Sequence, residues 1–484
     1  MYLGIDLGTS SVKTVLVDDA DRIIGSSSVH LTVSRPHPGW SEQDPASWVE
    51  GAFGTLDDLA RQHSQEMSIV AGIGLSGQMH GATLLDRNDA ILRPCMLWND
   101  TRASAECAEL ERICPSLRSI SANAAMPGFT APKVQWVRRH EPDIFRQIAS
   151  VLLPKSYVNF ALTGDKFEDM SDASGTLWLD VAARDWSDTL LAATGLNRSK
   201  VARLVEGSAA AAPLRSDLAA RWGMHKPPIV AGGAGDNAAS AIGLAAVKPG
   251  DAFISLGTSG VIWITTDKLR PNPDSYVHAF CHAVPGSWHQ MSVILSAASC
   301  LSWWSGVSGI KEASLLAELG EEPWQPSPAI FLPYLSGERT PYNDGTLRGM
   351  FANLDPGIDR PAMTRAVLEG VGFALRDCLD AMRADGDQIT EASVVGGGSR
   401  GRAWIALLAA QLGITLHRVE AGESGAALGA ARLARLAVTG APAASLTGPA
   451  RLESFAPDTK LSNAMAESRE RRPALLPAAR TAHG

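Results

Sequence analysis

Ile5-Asp6-Leu7-Gly8-Thr9-Ser10-Ser11-Val12 recurs in outline as Ile254-Ser255-Leu256-Gly257-Thr258-Ser259-Gly260-Val261, 249 residues further along a chain of 484. In both copies an apolar run ends in a Gly-Thr-Ser turn and a second apolar run leaves it. That pattern predicts a strand, a tight turn and an antiparallel partner strand. One such turn is also what an ordinary hairpin uses, since Gly, Ser and Thr are common there. Two copies, each opening a half large enough for a domain, point instead to an ancient duplication. The boundary is expected near Gly243–Gly250, where Val247-Lys248-Pro249-Gly250 is turn-like, giving an N-terminal domain over 1–244 and a C-terminal domain over 245–484.

The chemistry of the repeat suggests a phosphate. Gly8 permits a tight turn, Thr9 and Ser10 supply hydroxyl and amide donors, and Asp6 at the strand end suits a magnesium ion, directly or through water. Lys13 adds a cation nearby. Gly257 and Thr258 offer the same donors from the second half, so two turns facing each other across a cleft would clamp one triphosphate.

Outward from the first turn, residues 2–8, 11–18 and 23–29 read as a strand meander. A polar loop with Pro36, Pro38 and Pro45 follows, then a helix over 46–63 and a buried parallel strand over 68–75. Two later segments share a strand–glycine–helix layout. Pro227–Val230 leads through Gly232, Gly233 and Gly235 to Asp236 and a small-residue helix from Asn237. Ala392–Val395 leads through Gly396-Gly397-Gly398-Ser399-Arg400 to a helix ending at Leu412. Glycines between a strand and a helix let bare backbone approach a ligand that faces the helix N-terminus. A charged, Ala- and Pro-rich C-terminus predicts a last helix with a poorly ordered end.

Several residues admit two readings. Asp236 opens a helix, which is ordinary capping, yet three glycines just before it are more than a cap requires and suit a general base against a substrate hydroxyl. Gln78-Met79-His80-Gly81 follows the buried strand, where polar side chains commonly meet a ligand. Trp98-Asn99-Asp100-Thr101-Arg102 and Gly337-Glu338-Arg339-Thr340-Pro341 read as polar turns, their charges serving loop salt bridges between lobes. Gly396–Gly401 also satisfies the dinucleotide pattern G-x-G-x-x-G, with Glu420 about 20 residues on. A nicotinamide enzyme would leave the duplicated turns and Asp6 unused, whereas a duplicated ATPase uses them all. A shape-changing ATPase of the same architecture, needing no small-molecule acceptor, is the other rival. No G-x-x-x-x-G-K-[ST] loop is present.

Composition narrows the class. With 51 acidic against 43 basic residues the net charge is −8, which argues against nucleic acid as a partner. The six cysteines form no C-x-x-C pair and read as reduced, mostly buried thiols. The N-terminus lacks the basic and apolar regions of a signal peptide, and no apolar stretch reaches the roughly 18 residues of a membrane helix. A cytoplasmic protein without membrane contact is expected.

Taken in order, Ile5–Ser10, Trp40-Ser41-Glu42-Gln43-Asp44-Pro45, Gly77–Gly81, Gly128-Phe129-Thr130-Ala131-Pro132-Lys133, Gly235-Asp236-Asn237, Leu256–Gly260, Gly337–Pro341 and Gly396-Gly397-Gly398 resemble the FGGY carbohydrate kinases over nearly the whole chain. Met79-His80-Gly81 and Ser34-Arg35-Pro36-His37-Pro38 look like the bacterial xylulokinase branch of that family. The Arg-Glu pair of glycerol kinases is absent at 79–80. The resemblance implies an α/β fold of two ribonuclease-H-like, actin-like ATPase domains around a central cleft. It implies ATP-dependent phosphorylation of a ketopentose, D-xylulose, with D-ribulose or a polyol as alternative acceptors. It puts the general base on Asp236, sugar contacts on Met79, His80, Asp236 and Asn237, and Mg2+ on Asp6. ATP contacts fall on Thr9, Ser10, Lys13, Gly257, Thr258, Gly397 and Gly398. Members are often dimers, so a homodimer is the assembly the resemblance implies. The chain departs from the family's Gly-Gly-Gly-Asp-Asn loop at Ala234.

Overall fold

The computed structural model describes residues 1–320, 325–384, 386, 389–420 and 425–481. Two seven-stranded sheets organise them. The first holds β1 (Tyr2–Leu7), β2 (Ser11–Val17), β3 (Ile23–His30), β4 (Gly72–Gly77), β5 (Ala210–Pro213), β6 (Ile229–Ala231) and the short β7 (Ala234–Gly235). Its order is β5-β6-β4-β1-β2-β3, with β7 also on β4. The second holds β8 (Ala252–Leu256), β9 (Gly260–Thr266), β10 (His278–Cys281), β11 (Trp288–Ile294), β12 (Glu391–Val395), β13 (Thr415–Val419) and β14 (Arg451–Phe455), in the order β10-β11-β9-β8-β12-β13-β14.

The two sheets are built alike. β1 pairs antiparallel with β2 and parallel with β4, as β8 pairs antiparallel with β9 and parallel with β12. The next parallel pair and the antiparallel edge also correspond, β4–β6–β5 against β12–β13–β14. The repeat read from one octapeptide therefore extends through each sheet. Every residue of β4 is buried, as a parallel strand covered on both faces requires.

The sequence expectations for elements hold with one shift. The first long helix, α1 (Pro45–Gln62), starts at Asp44, whose carboxylate accepts from the Ala46 amide, and it buries Trp48, Ala52, Leu56 and Leu59 at helical spacing. The strand expected from 68 begins only at Gly72, because Ser64–Ser68 forms a short helix with Met67 buried. The C-terminus is helical over Thr459–Ala464 and Ala466–Thr481; its last residues, 482–484, lie outside the described residues. The six cysteines are free, five of them buried. No helix among the described residues is long and apolar enough to cross a membrane.

Four more helices position the cleft: α2 (Thr130–His140), α3 (Asp236–Gly243), α4 (Arg402–Leu412) and α5 (Gly425–Thr439). The last of these is alanine-rich, comes from the end of the chain and lies on the first sheet. A Cβ on Gly4 would stand 1.9 Å from the Ala427 carbonyl oxygen, and one on Gly74 would stand 1.9 Å from that of Ala430. The same helix meets α3 with no more room: a Cβ on Gly429 would lie 1.8 Å from the Ala239 oxygen. Small residues are what let backbone pack on backbone here.

Candidate active site

The carboxyl ends of β1 and β4 set Asp6 beside Ser76. Asp6 and Ser76 are register partners, and the Ser76 hydroxyl donates to Asp6 Oδ1 at 2.9 Å. Burial pushes the Asp6 carboxyl above its ordinary range, against the pull of Ser76 and of Lys13, its cross-strand partner. β7 pairs with β4 at Ser76 and Gly77, so α3 begins in the same place and Asp236 is its first residue. Asp236 Oδ1 accepts from the Asn237 amide at 2.7 Å and from Asn237 Nδ2 at 3.0 Å. Burial is the main cause that raises this carboxyl to about 6; the Asp6 charge adds to it and the Asn237 hydrogen bonds oppose it.

Ala234 occupies a strand position and not the bend of this loop. The left-handed residue is Gly233, at φ +81°, where a Cβ would stand 2.4 Å from the Leu75 oxygen. Ala234 pairs with Ser76 and its methyl is wholly buried. A buried cluster below holds the loop. Ser171 accepts from the Gly235 amide at 3.1 Å and donates to Asp169 at 2.6 Å. Lys155 meets Glu168 at 3.2 Å and Asp169 at 3.1 Å. Its ammonium already sits among the three carboxylates of Glu168, Asp169 and Asp172, which lie within 4.8 Å of one another. The sequence reading missed this cluster, whose only signal was the acidic run from Glu168 to Asp172.

Met79 lies against the glycine that precedes the base, and His80 follows it in the chain. The Met79 sulfur lies 2.8 Å from where a Gly235 Cβ would be. His80 adopts φ +72°, its Nδ1 is 2.8 Å from the Gly175 oxygen, and its ring lies 4.7 Å from that of Phe129. Burial holds this imidazole well below its usual pKa, so it is neutral, and Nε2 has no partner among the described residues. The His80 carbonyl accepts from Thr130 Oγ1 at 3.1 Å and Lys133 Nζ at 3.0 Å. Burial pushes the Lys133 ammonium down to about 7.

On the phosphate side the two turns differ from each other. The Thr9 hydroxyl donates to Gln78 Oε1 at 2.9 Å and accepts from Trp98 Nε1 at 3.0 Å. Gln43 holds the Thr9 carbonyl at 2.8 Å. The hydroxyl expected to meet a phosphate is thus committed within the protein, and the turn is left with its backbone and the exposed Ser10. In the second turn Thr258 is exposed, while its carbonyl accepts from the Ala297 amide at 2.9 Å and Ser299 Oγ at 2.8 Å. A cavity of about 700 Å³ runs from Asp6 to Gly396, Gly397 and Arg400. A second, of about 740 Å³, is lined by Leu301, Leu316, Gly397, Gly398 and Trp404, an apolar slot suited to a purine ring.

The charged turns split. Arg102 pairs with Asp100 at 2.6 Å and Glu42 at 2.8 Å, within the first half of the chain and not between lobes as expected, and stacks 3.5 Å over Trp40. Glu338 and Arg339 make no salt bridge among the described residues. Glu338 Oε1 instead accepts from the Leu295 amide at 2.9 Å and the Arg339 amide at 2.8 Å, and burial pushes its carboxyl up to about 8.

Comparison with known proteins agrees with this arrangement. The family model for the N-terminal domain of the FGGY carbohydrate kinases matches residues 1–243, and that for the C-terminal domain matches 252–438. The chain is 48% identical over 438 residues to the xylulose kinase of Escherichia coli (strain K12), covering 90% of each chain. It superposes with a TM-score of 0.96 on the crystal structure of a xyloylose kinase from Brucella ovis, 53% identical, with 99% of each chain covered. The xylulose kinase structure from Rhodospirillum rubrum matches at a TM-score of 0.89 and 28% identity, over 99% of this chain and 98% of that one. With both family domains matched in order, and two like sheets meeting at a cleft that holds Asp6 and Asp236, the chain belongs to the FGGY family of carbohydrate kinases.

Proposed function

We propose that this carbohydrate kinase transfers the γ-phosphoryl group of ATP to O5 of D-xylulose, giving D-xylulose 5-phosphate in the cytoplasm, with Asp236 as general base. The observation that carries this reading is Asp236 itself. It is a carboxylate raised to about 6, fixed at a helix N-terminus beside Asp6 and bordered by Met79. At neutral pH it is mostly ionised yet basic enough to take a hydroxyl proton. The 48% identity to an enzyme named xylulose kinase supports D-xylulose as the acceptor. D-ribulose and polyols remain the acceptors to compare.

The residues fit a divalent cation. Asp6 offers a carboxylate oxygen that Ser76 does not occupy, at the edge of the cavity leading to Gly396 and Arg400. Mg2+ is characteristically held by one or two carboxylates plus substrate phosphates, and would neutralise charge on the transferring group. The chain's own residues do the rest. Asp236 aligns O5 and accepts its proton, Asn237 steadies Asp236, His80 offers Nε2 to a sugar hydroxyl, and Met79 covers a carbon face. Thr258, Gly257, Ser10 and the backbone at Thr9, with Lys13 close to Asp6, face the phosphates. Gly397 and Gly398 border the slot for adenosine. In this reading residues 1–244 carry the sugar and the first phosphate turn, and 245–484 carry the nucleotide. The test is ADP release at fixed ATP with D-xylulose, D-ribulose, xylitol and D-arabinitol. ATP turnover independent of any acceptor, or a polyol preferred over both ketoses, would refute it.

A further inference from the structure

Arg339 belongs to neither the base, the phosphate turns nor the adenosine slot. Its guanidinium carries five N–H donors and no acceptor, and none of the donors finds a partner among the described residues. The loop that carries it is held firmly. Val293 donates to Thr340 Oγ1 at 3.1 Å, Thr340 donates to the Tyr276 carbonyl at 3.1 Å, and Glu338 is tied to Leu295. The side chain reaches across from the second half of the sequence to the first, where Nη2 lies 3.8 Å from the point a Gly128 Cβ would occupy. Phe129, next to Gly128, packs on the rings of both His80 and His278. Burial keeps both imidazoles neutral, and Lys133 spends its ammonium on the carbonyls of Gly128 and His80. A donor fork carried on a firmly held loop therefore stands at the edge of the sugar residues, with no protein acceptor among the described residues.

Its place follows from a chain of contacts. Asp236 adjoins Gly235, Gly235 meets Met79, His80 meets Phe129, and Gly128 meets Arg339. An acceptor whose O5 meets Asp236 would extend along Met79 and His80 toward Arg339. A 2-ketopentose closes its ring through O5, so only the open-chain form presents that hydroxyl for attack. The open chain carries at C2 a carbonyl oxygen that accepts hydrogen bonds and cannot donate. Resting on the reaction proposed above, we infer that Arg339 donates to the C2 carbonyl of the open-chain ketose and is the residue that separates ketoses from polyols. A reduced C2 hydroxyl can still accept, but it is an sp3 oxygen off the carbonyl plane and a poor match for a planar fork.

The experiment measures kcat/KM for D-xylulose, xylitol and D-arabinitol with the full chain and with Arg339→Met and Arg339→Lys, each with a thermal melt. A hydrogen bond to a charged donor corresponds to about 10- to 100-fold in kcat/KM, so Arg339→Met should lose about that much on D-xylulose and no more than about threefold on the polyols. Arg339→Lys, which keeps the charge but not the fork, should fall between. A merely structural role would lower all three acceptors together. A ketose-to-polyol ratio unchanged from the parent in both variants, whether every acceptor suffers or none does, overturns the assignment. A parent enzyme inert toward D-xylulose would instead sink the reading of the reaction, so the two failures are distinguishable.

Discussion

Replacing Asp236 by Asn tests the base and the strain on it together. The substitution preserves shape but removes the proton acceptor, so kcat should fall by about 100- to 10,000-fold. Stability should move the other way. An ordinary aspartate carboxyl titrates near 3.8, and burial raises this one to about 6. Between those values the folded chain binds more protons than the unfolded one, so stability falls as pH rises through that window, and above about 6 the whole penalty is in place. A shift of about 2 units corresponds to about 3 kcal/mol as an upper bound. Asp236 is only partly buried by its surface area, and solvent screening reduces the figure to about 1–2 kcal/mol. For a protein of this size that is a rise of one to a few degrees in Tm. Scanning fluorimetry of parent and variant at pH 8 and pH 4.5 reads it, and the gain should shrink by roughly half or more at the lower pH. A folded Asp236→Asn enzyme that keeps more than about a tenth of parental kcat would refute the assignment of the base. A variant no more stable than the parent at pH 8 would show that the carboxyl is not held under desolvation.

The parent's kcat/KM should drop tenfold per pH unit below about 6, as Asp236 takes up its proton; a flat profile down to pH 5 counts against it. Thr258→Ala removes an exposed donor from the second turn and should raise the KM for ATP several-fold, whereas Thr9→Ala breaks the bonds to Gln78 and Trp98 and should lower Tm, with a loss of about 1–3 kcal/mol. The reverse pattern would exchange the roles of the two turns. His80→Ala should narrow the preference for xylulose over deoxy analogues, and an unchanged acceptor ranking would make His80 purely structural. Small-angle scattering should show compaction only with sugar and nucleotide analogue both present; identical radii in all states would exclude lobe closure.

The duplicated turn revealed the architecture because a Gly-Thr-Ser corner between two apolar runs is a local feature with local causes. The strands flanking it, the glycine loop ahead of Asp236 and the helix after Gly396 were legible for the same reason. What stayed hidden depends on distant partners. Nothing near Thr9 in sequence says that Trp98 and Gln78 will claim its hydroxyl. Lys155 looks like any surface lysine until Glu168, Asp169 and Asp172 are folded around it. Arg339 reads as half of a salt bridge, since charged turns usually make them, and only the fold shows that Glu338 turns toward backbone amides instead. The start of β4 was misjudged because Ile69 and Val70 look like strand residues, whereas Ile69 is 56% exposed at the end of a short helix.

The position of α5 has a consequence for biosynthesis. Gly4 and Gly74 are translated hundreds of residues before the helix that covers them, which starts at Gly425. An emerging nascent chain therefore carries a bare apolar sheet face from the time β4 is made until α5 is translated. A polypeptide released after Asn237 but before that helix would keep Asp6 and Asp236 while exposing a face prone to association. Premature termination should thus yield aggregates rather than a small working lobe, and an intact message through the codons of α5 becomes a condition for the first sheet to stay folded.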